Sequence, residues 1–287
     1  MNYTECTNNF TDTYHPMNFQ QMAINMVNDG ISSCDKAWTD LVYYLQDEYG
    51  WSEMAIFLAV GFAVHAIAFQ GFNLIYALII RSGLVEEYKI QQDKFVPFAD
   101  RLKIIPNLLG HRIIQALFSV PIYFFWKFAG GDIFAPLPPL ATLVGHFLFA
   151  VVFLEVWFYF GHRACHEISW LKPWHKQHHE FKAPVSLAAE YADWKEDIAI
   201  HLVSTALGIL ALGCHPLEFF FFMAFRMWET VDVHCGYALP FTPFRTEMHD
   251  YHHMRVNGCY GSFFMDDLMG TNKRFKDFLE KKRANKD

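Results

Sequence analysis

Residues 140–179 read LATLVGHFLFAVVFLEVWFYFGHRACHEISWLKPWHKQHH. An apolar run, Leu140 to Phe160, leads directly into two histidine clusters: His162 with His166, then His175 with His178 and His179. A third cluster, HDYHH, supplies His249, His252 and His253. On a helix, residues three or four apart project from one face, so each cluster can aim its imidazoles at a common centre. One such pair alone is more often an ordinary surface or core feature. Three together are not, because imidazoles packed side by side need a cation or another partner.

Eight clustered histidines out of fifteen exceed what one ion can use, so two ions are implied. A closed structural zinc site would bring cysteines at CxxC spacing, which is absent. Zinc hydrolysis stays open, but HExxH is missing and Asp250 is the one carboxylate inside a cluster. His15, His65, His111, His146, His201 and His215 fall outside the clusters and read as helix-contact or interfacial residues.

The composition points to lipid as the solvent: 53% of the 287 residues are hydrophobic, and 30 are Phe. A net charge of −7 excludes a global basic surface for nucleic acid. The polar first fifty residues show no signal-peptide pattern, so insertion is expected to use internal segments. Met54 to Ile80 carries no formal charge and is long enough to span, with His65, Gln70 and Asn73 expected to face neighbouring helices. Ile113 to Phe128 and Leu140 to Phe160 form a hairpin through the Gly- and Pro-rich turn between them. Ile198 to Val233 is broken near Gly213–Pro216 and reads as two short helices. All three clusters then share one membrane face.

Residues 1–50 hold one basic side chain, Lys36, whereas Arg81–Arg112 and the tail after Gly270 are rich in Lys and Arg. By the positive-inside rule the N-terminus is expected to be lumenal and the histidines cytosolic. The sequons at Asn2 and Asn9, and a pairing of Cys6 with Cys34, would suit that lumenal side. The chain divides into a polar arm (1–50), membrane segments with a cytosolic loop (51–139), a catalytic domain (140–271) and a basic tail (272–287), with no internal repeat.

HRACH, HKQHH and HDYHH, spaced across membrane segments, resemble the three histidine boxes of the fatty acid hydroxylase superfamily of integral-membrane di-iron oxygenases. HKQHHEFKAPVSLAAEYA and VDVHCGYALPF are similar to the corresponding regions of its C-4 methylsterol oxidase branch. The resemblance implies an all-α membrane bundle of the endoplasmic reticulum with a cytosolic, histidine-rich di-iron cap. It adds His234 to the ligands, for a set of His162, His166, His175, His178, His179, His234, His249, His252 and His253. It further implies two iron ions, dioxygen as co-substrate, and NAD(P)H-derived electrons delivered by a separate b-type cytochrome. No nicotinamide or flavin fingerprint occurs in the chain itself.

The leading expectation is hydroxylation of a sterol at a C-4 methyl group. Oxidation of another lipid stays open: Asp193–Trp194 replaces the His-Pro usual in methylsterol oxidases, and GCHPL at Gly213–Leu217 resembles cholesterol 25-hydroxylases. So does a non-catalytic membrane protein that keeps the metal for stability or lipid binding. Glu155, two helical turns before His162, is expected to accept an N–H from a ligand imidazole, as are Glu190 and Asp232.

Overall fold

The computed structural model describes residues 19–284. The sequons at Asn2 and Asn9, together with Cys6 and His15, lie outside that range. Among the described residues the chain is helical, with a single isolated bridge between Lys89 and Tyr237 and no strand. Twelve α-helices follow in order. The long ones are α1 (Phe19–Tyr49), α2 (Glu53–Arg81), α4 (Ile104–Phe128), α5 (Leu140–Glu167) and α9 (Pro216–Val233). Between them lie α3 (Phe98–Leu102), α6 (Lys172–Lys176), α7 (Trp194–Glu196) and α8 (Val203–Leu210). The chain ends with α10 (Thr246–Arg255), α11 (Met265–Met269) and α12 (Lys273–Ala284).

Three stretches are long and apolar enough to cross a membrane: α2, α3 with α4, and α5. Ser52 caps α2 by accepting from the Ala55 N–H at 3.2 Å, with Glu53 in the first turn and Arg81 in the last, the polarity the helix dipole favours. The second span starts at Phe98, well before Ile113, because Arg112 does not mark a membrane boundary. It lies inside the bundle against Glu190, His65 and Gln115. Of the polar residues of α2, His65 meets Glu190 at 2.9 Å as expected, whereas Asn73 bonds its own helix and Gln70 is exposed.

The stretch Ile198–Val233 is two helices, as its sequence suggests. The turn between them is a capping box: His215 accepts from the Leu217 N–H at 3.1 Å and Glu218 accepts from the His215 N–H at 2.9 Å, with Pro216 opening α9. Gly213 precedes it at φ +60, where a side chain would press on the Ala129 carbonyl.

At this end the core is aromatic. Phe57 stacks on Trp126 and Phe219, and the indole N–H groups of Trp38 and Trp126 donate to Ile133 and Cys214 carbonyls, both at 2.8 Å. The stretch read as a polar arm is therefore largely a helix, α1, docked on the bundle through Trp38 and Val42. The opposite end carries the histidines. Gly131→Ala would drive a methyl group into the Trp126 ring, 2.1 Å from the Cβ position. Overpacking of this kind costs about 1–3 kcal/mol, so thermal unfolding in detergent should shift down by several degrees; an unchanged midpoint would contradict the packing described.

Candidate metal centre

α5 is 28 residues long, about 42 Å at the usual rise. It therefore exceeds a hydrocarbon core of roughly 30 Å, and its last two turns carry His162 and His166. HKQHH is not one helix: α6 holds His175, and a 3-10 turn, His178–Glu180, holds the other two. α9 ends at His234, and α10 carries the third cluster.

The nine histidines meet in two groups: His162, His166, His175, His179 and His252 in one, and His178, His234, His249 and His253 in the other. The first sequence cluster serves one centre, whereas the second and third are each divided between the two. The rule the structure follows is narrower: every i,i+4 pair (162/166, 175/179, 249/253) stays together, while His178 and His252 project to the other group. Residues four apart lie 40° apart around a helix, so they share a target more readily than their neighbours do.

Backbone carbonyls set the ring orientations. The Nδ1–H groups of His162, His234, His252 and His253 donate to the carbonyls of Tyr260, Thr230, Gly258 and Phe181 at 2.8, 2.7, 2.7 and 3.1 Å. His178 donates to Tyr191 at 3.3 Å and His175 to the Glu196 carboxylate at 2.6 Å. A carbonyl only accepts, so these rings carry their proton on Nδ1 and present a bare Nε2 inward.

The inward nitrogens lie 2.8–3.3 Å apart: His179 to His175 at 2.8 Å, His249 to His234 at 3.0 Å, and His166 to His162 at 3.3 Å. Lone pairs facing one another at these distances repel unless a cation stands between them. The donor sets thus fit two metal ions, with imidazole as the ligand throughout. Burial, and then the neighbouring imidazoles, hold His178, His249 and His253 far below the ordinary histidine range, and His252 at about 3. They are neutral at physiological pH, as ligands must be.

The three carboxylates expected beside ligand imidazoles bond elsewhere. Glu155, fully buried, accepts four backbone N–H groups, from Ser262, Phe263, Phe264 and Met265, at 2.8–3.0 Å. It pins the loop whose Tyr260 carbonyl holds His162. Glu190 pairs with His65 and Arg112, whose charges outweigh the effect of burial and hold it down at about 2. Asp232 accepts from Tyr76 and Thr246, both at 2.6 Å, tying α2 and α9 to the start of α10. Asp193 caps α7, and Asp250 accepts from Gln91.

The carboxylate that does hold a ring is Glu196, which sequence reasoning passed over inside the charged run Asp193–Asp197. Also missed was the turn after the third cluster. Gly258 stands at φ +79 against the Thr271 carbonyl, and Gly261 leaves room for Glu155. The succession Gly258–Cys259–Tyr260–Gly261 was the available signal.

Two cavities adjoin the centre. One, a narrow cleft, is lined by His162, His175, His178, His234 and His249. The other, of about 1020 Å³ counting its open mouth, runs between α2, α4, α8 and α9 with largely apolar walls that include Phe57, Phe62, Phe219 and Met223. His201, Arg226 and Thr230 line both.

Membrane-length helices thus deliver paired histidines to a buried centre that could hold metal, beside an apolar cavity. The sequence profile of the fatty acid hydroxylase family matches residues 147–271. A very-long-chain aldehyde decarbonylase, GL1-11, of Oryza sativa subsp. indica is 32% identical over 259 residues, 86% of this chain and 94% of its own length. Methylsterol monooxygenase 1 of Rattus norvegicus is 31% identical over 83% of this chain and 84% of its own length. Fatty acid hydroxylase domain-containing protein 2 of Homo sapiens is 27% identical over 88% of this chain and 83% of its own. The chain belongs to the fatty acid hydroxylase family. No solved structure matches it.

The buried neutral imidazoles must gain protons when the chain unfolds in acid. Their folded pKa values lie below the unfolded value of 6.5, so the unfolded chain binds more protons below that pH. Metal-stripped protein should accordingly lose thermal stability steadily as the pH falls from 7.5 to 5.5; a flat profile would contradict the buried, neutral state of these rings. Removing the Glu196 carboxylate (Glu196→Ala) should weaken metal retention against a chelator about 10–100-fold, with Glu196→Gln recovering part of the loss.

Proposed function

We propose that this chain is a di-iron oxygenase of the endoplasmic reticulum membrane that hydroxylates a sterol at a C-4 methyl group. His162, His166, His175, His179 and His252 hold one iron, and His178, His234, His249 and His253 the other. The observation that carries the reading is the meeting of two convergent imidazole sets with the inner end of an apolar cavity. An unactivated C–H bond offers nothing to acid or base catalysis, and activation of dioxygen is the chemistry that bound iron supplies.

The protein's own residues bind, orient and exclude water. Carbonyls and Glu196 hold the rings, Glu155 fixes the loop that supports His162, and the phenylalanine walls keep the lipid dry. Electrons come from NAD(P)H through a separate b-type cytochrome docking on the cytosolic, histidine-bearing face. The basic bias of Arg81–Arg112 and of the tail supports that orientation.

A second reading, removal of the carbonyl carbon from a very-long-chain aldehyde, is favoured by the likeness to the rice protein named as an aldehyde decarbonylase. Full-length protein, purified with iron and supplied with a reductase and cytochrome, decides between them when offered a 4-methylsterol, cholesterol, a long-chain aldehyde and a fatty acyl lipid. About two irons per chain and oxidation of the 4-methylsterol are expected, with His178→Ala losing both iron and product. Product from the aldehyde alone would select the second reading. Zinc in place of iron, with no lipid oxidised, would leave the centre structural.

A further inference from the structure

The apolar cavity changes character along its length. On α9, Phe219, Met223, Arg226, Thr230 and His234 recur every three or four residues, so one stripe climbs about 22 Å from the cavity's far end to the metal centre. On α2, which runs alongside, Phe57 and Phe62 give way to His65. The pairing of Phe57 with Phe219 at one level and of Tyr76 with Asp232 at another fixes that parallel order. Both walls are apolar far from the histidines and polar next to them.

Arg226 stands at the junction of the two cavities. It is 3% exposed, its Nη1 is paired with Glu229, and its buried Nε–H has no partner. A buried donor without an acceptor is costly, and the side chain that carries it lines both cavities. No comparable donor without a partner lines the far end, around Phe57 and Phe219.

We propose that the lipid enters polar end first and that its oxygen function, a hydroxyl or carbonyl, accepts a hydrogen bond from Arg226 Nε–H. Arg226 is then a specificity-determining residue. The carbon presented to the histidine cavity is one within a few bonds of that oxygen, not one at the far end of the tail. This rests on the lipid-oxygenase reading and adds to it a direction of entry.

The test is equilibrium binding to full-length protein in lipid nanodiscs, using two matched probe pairs: a 4-methylsterol against its 3-deoxy analogue, and a long-chain aldehyde against the alkane of equal length. Wild type should favour the oxygen-bearing member of at least one pair by about 10–100-fold, the range expected for one buried hydrogen bond.

Arg226→Leu alone would strand the Glu229 carboxylate, so the informative variant is Arg226→Leu with Glu229→Met. It should retain the oxygen-free probe with unchanged affinity while the preference collapses towards parity. Preference in neither pair, or preference intact in the double variant, would overturn the proposal. Binding and turnover separate the two ideas. A preference that collapses in the variant, with no lipid oxidised by wild type, sinks the oxygenase reading and leaves the anchor standing; oxidation with a preference the variant does not move does the reverse.

Discussion

Everything in this protein is arranged so that nine imidazoles can be held with their inner nitrogens converging. That arrangement is unfavourable in itself. It is imposed by hydrogen bonds on the outer side of the rings, where carbonyls of Tyr191, Thr230, Gly258, Tyr260 and Phe181 and the Glu196 carboxylate each take an Nδ1 proton. Because most of those acceptors are backbone, the orientation of these six rings depends on the path of the main chain behind them. The loops after the second and third clusters are therefore part of the centre.

Glu155 shows how far that dependence reaches. A carboxylate inside a membrane helix would ordinarily need a charged partner, yet this one is neutralised by four successive backbone N–H groups at the start of α11. The same loop is tied from its other side by Asp266, which accepts from Tyr260 and Gly261 N–H groups at 2.9 and 2.6 Å. Membrane helix and loop thus share one set of hydrogen bonds, and His162 stands between them.

Much of this was legible in the sequence, and for identifiable reasons. Local periodicity exposes the i,i+4 histidine pairs, and hydropathy exposes α2, α5 and the break at Gly213. What periodicity cannot show is the partner across space. His178 joins His234, 56 residues away, and nothing local announces it; His234 itself came from resemblance alone. Glu196 hides in Asp193–Asp197 because a charged run looks like a solvated face until burial is known. Glu155 stands out as a charge within an apolar helix, but its position gives the direction it faces and not the loop it meets. α1 is obscured by its polar composition, since only Trp38 and Val42 of its described side chains are deeply buried.

The uninterrupted course of α5 has a consequence for where such a protein can work. The helix starts at Leu140, on the far side of the bundle, and reaches His166 with no proline and no kink-forming insertion. A rod of this kind meets a thicker or thinner bilayer by tilting, and the tilt displaces its end most. Two ligands sit at that end and Glu155 lies three turns below it, so hydrophobic mismatch is felt at the centre as a shift of His162 and His166 against the loop-held rings opposite. Bilayer thickness becomes one of the tolerances of the metal site.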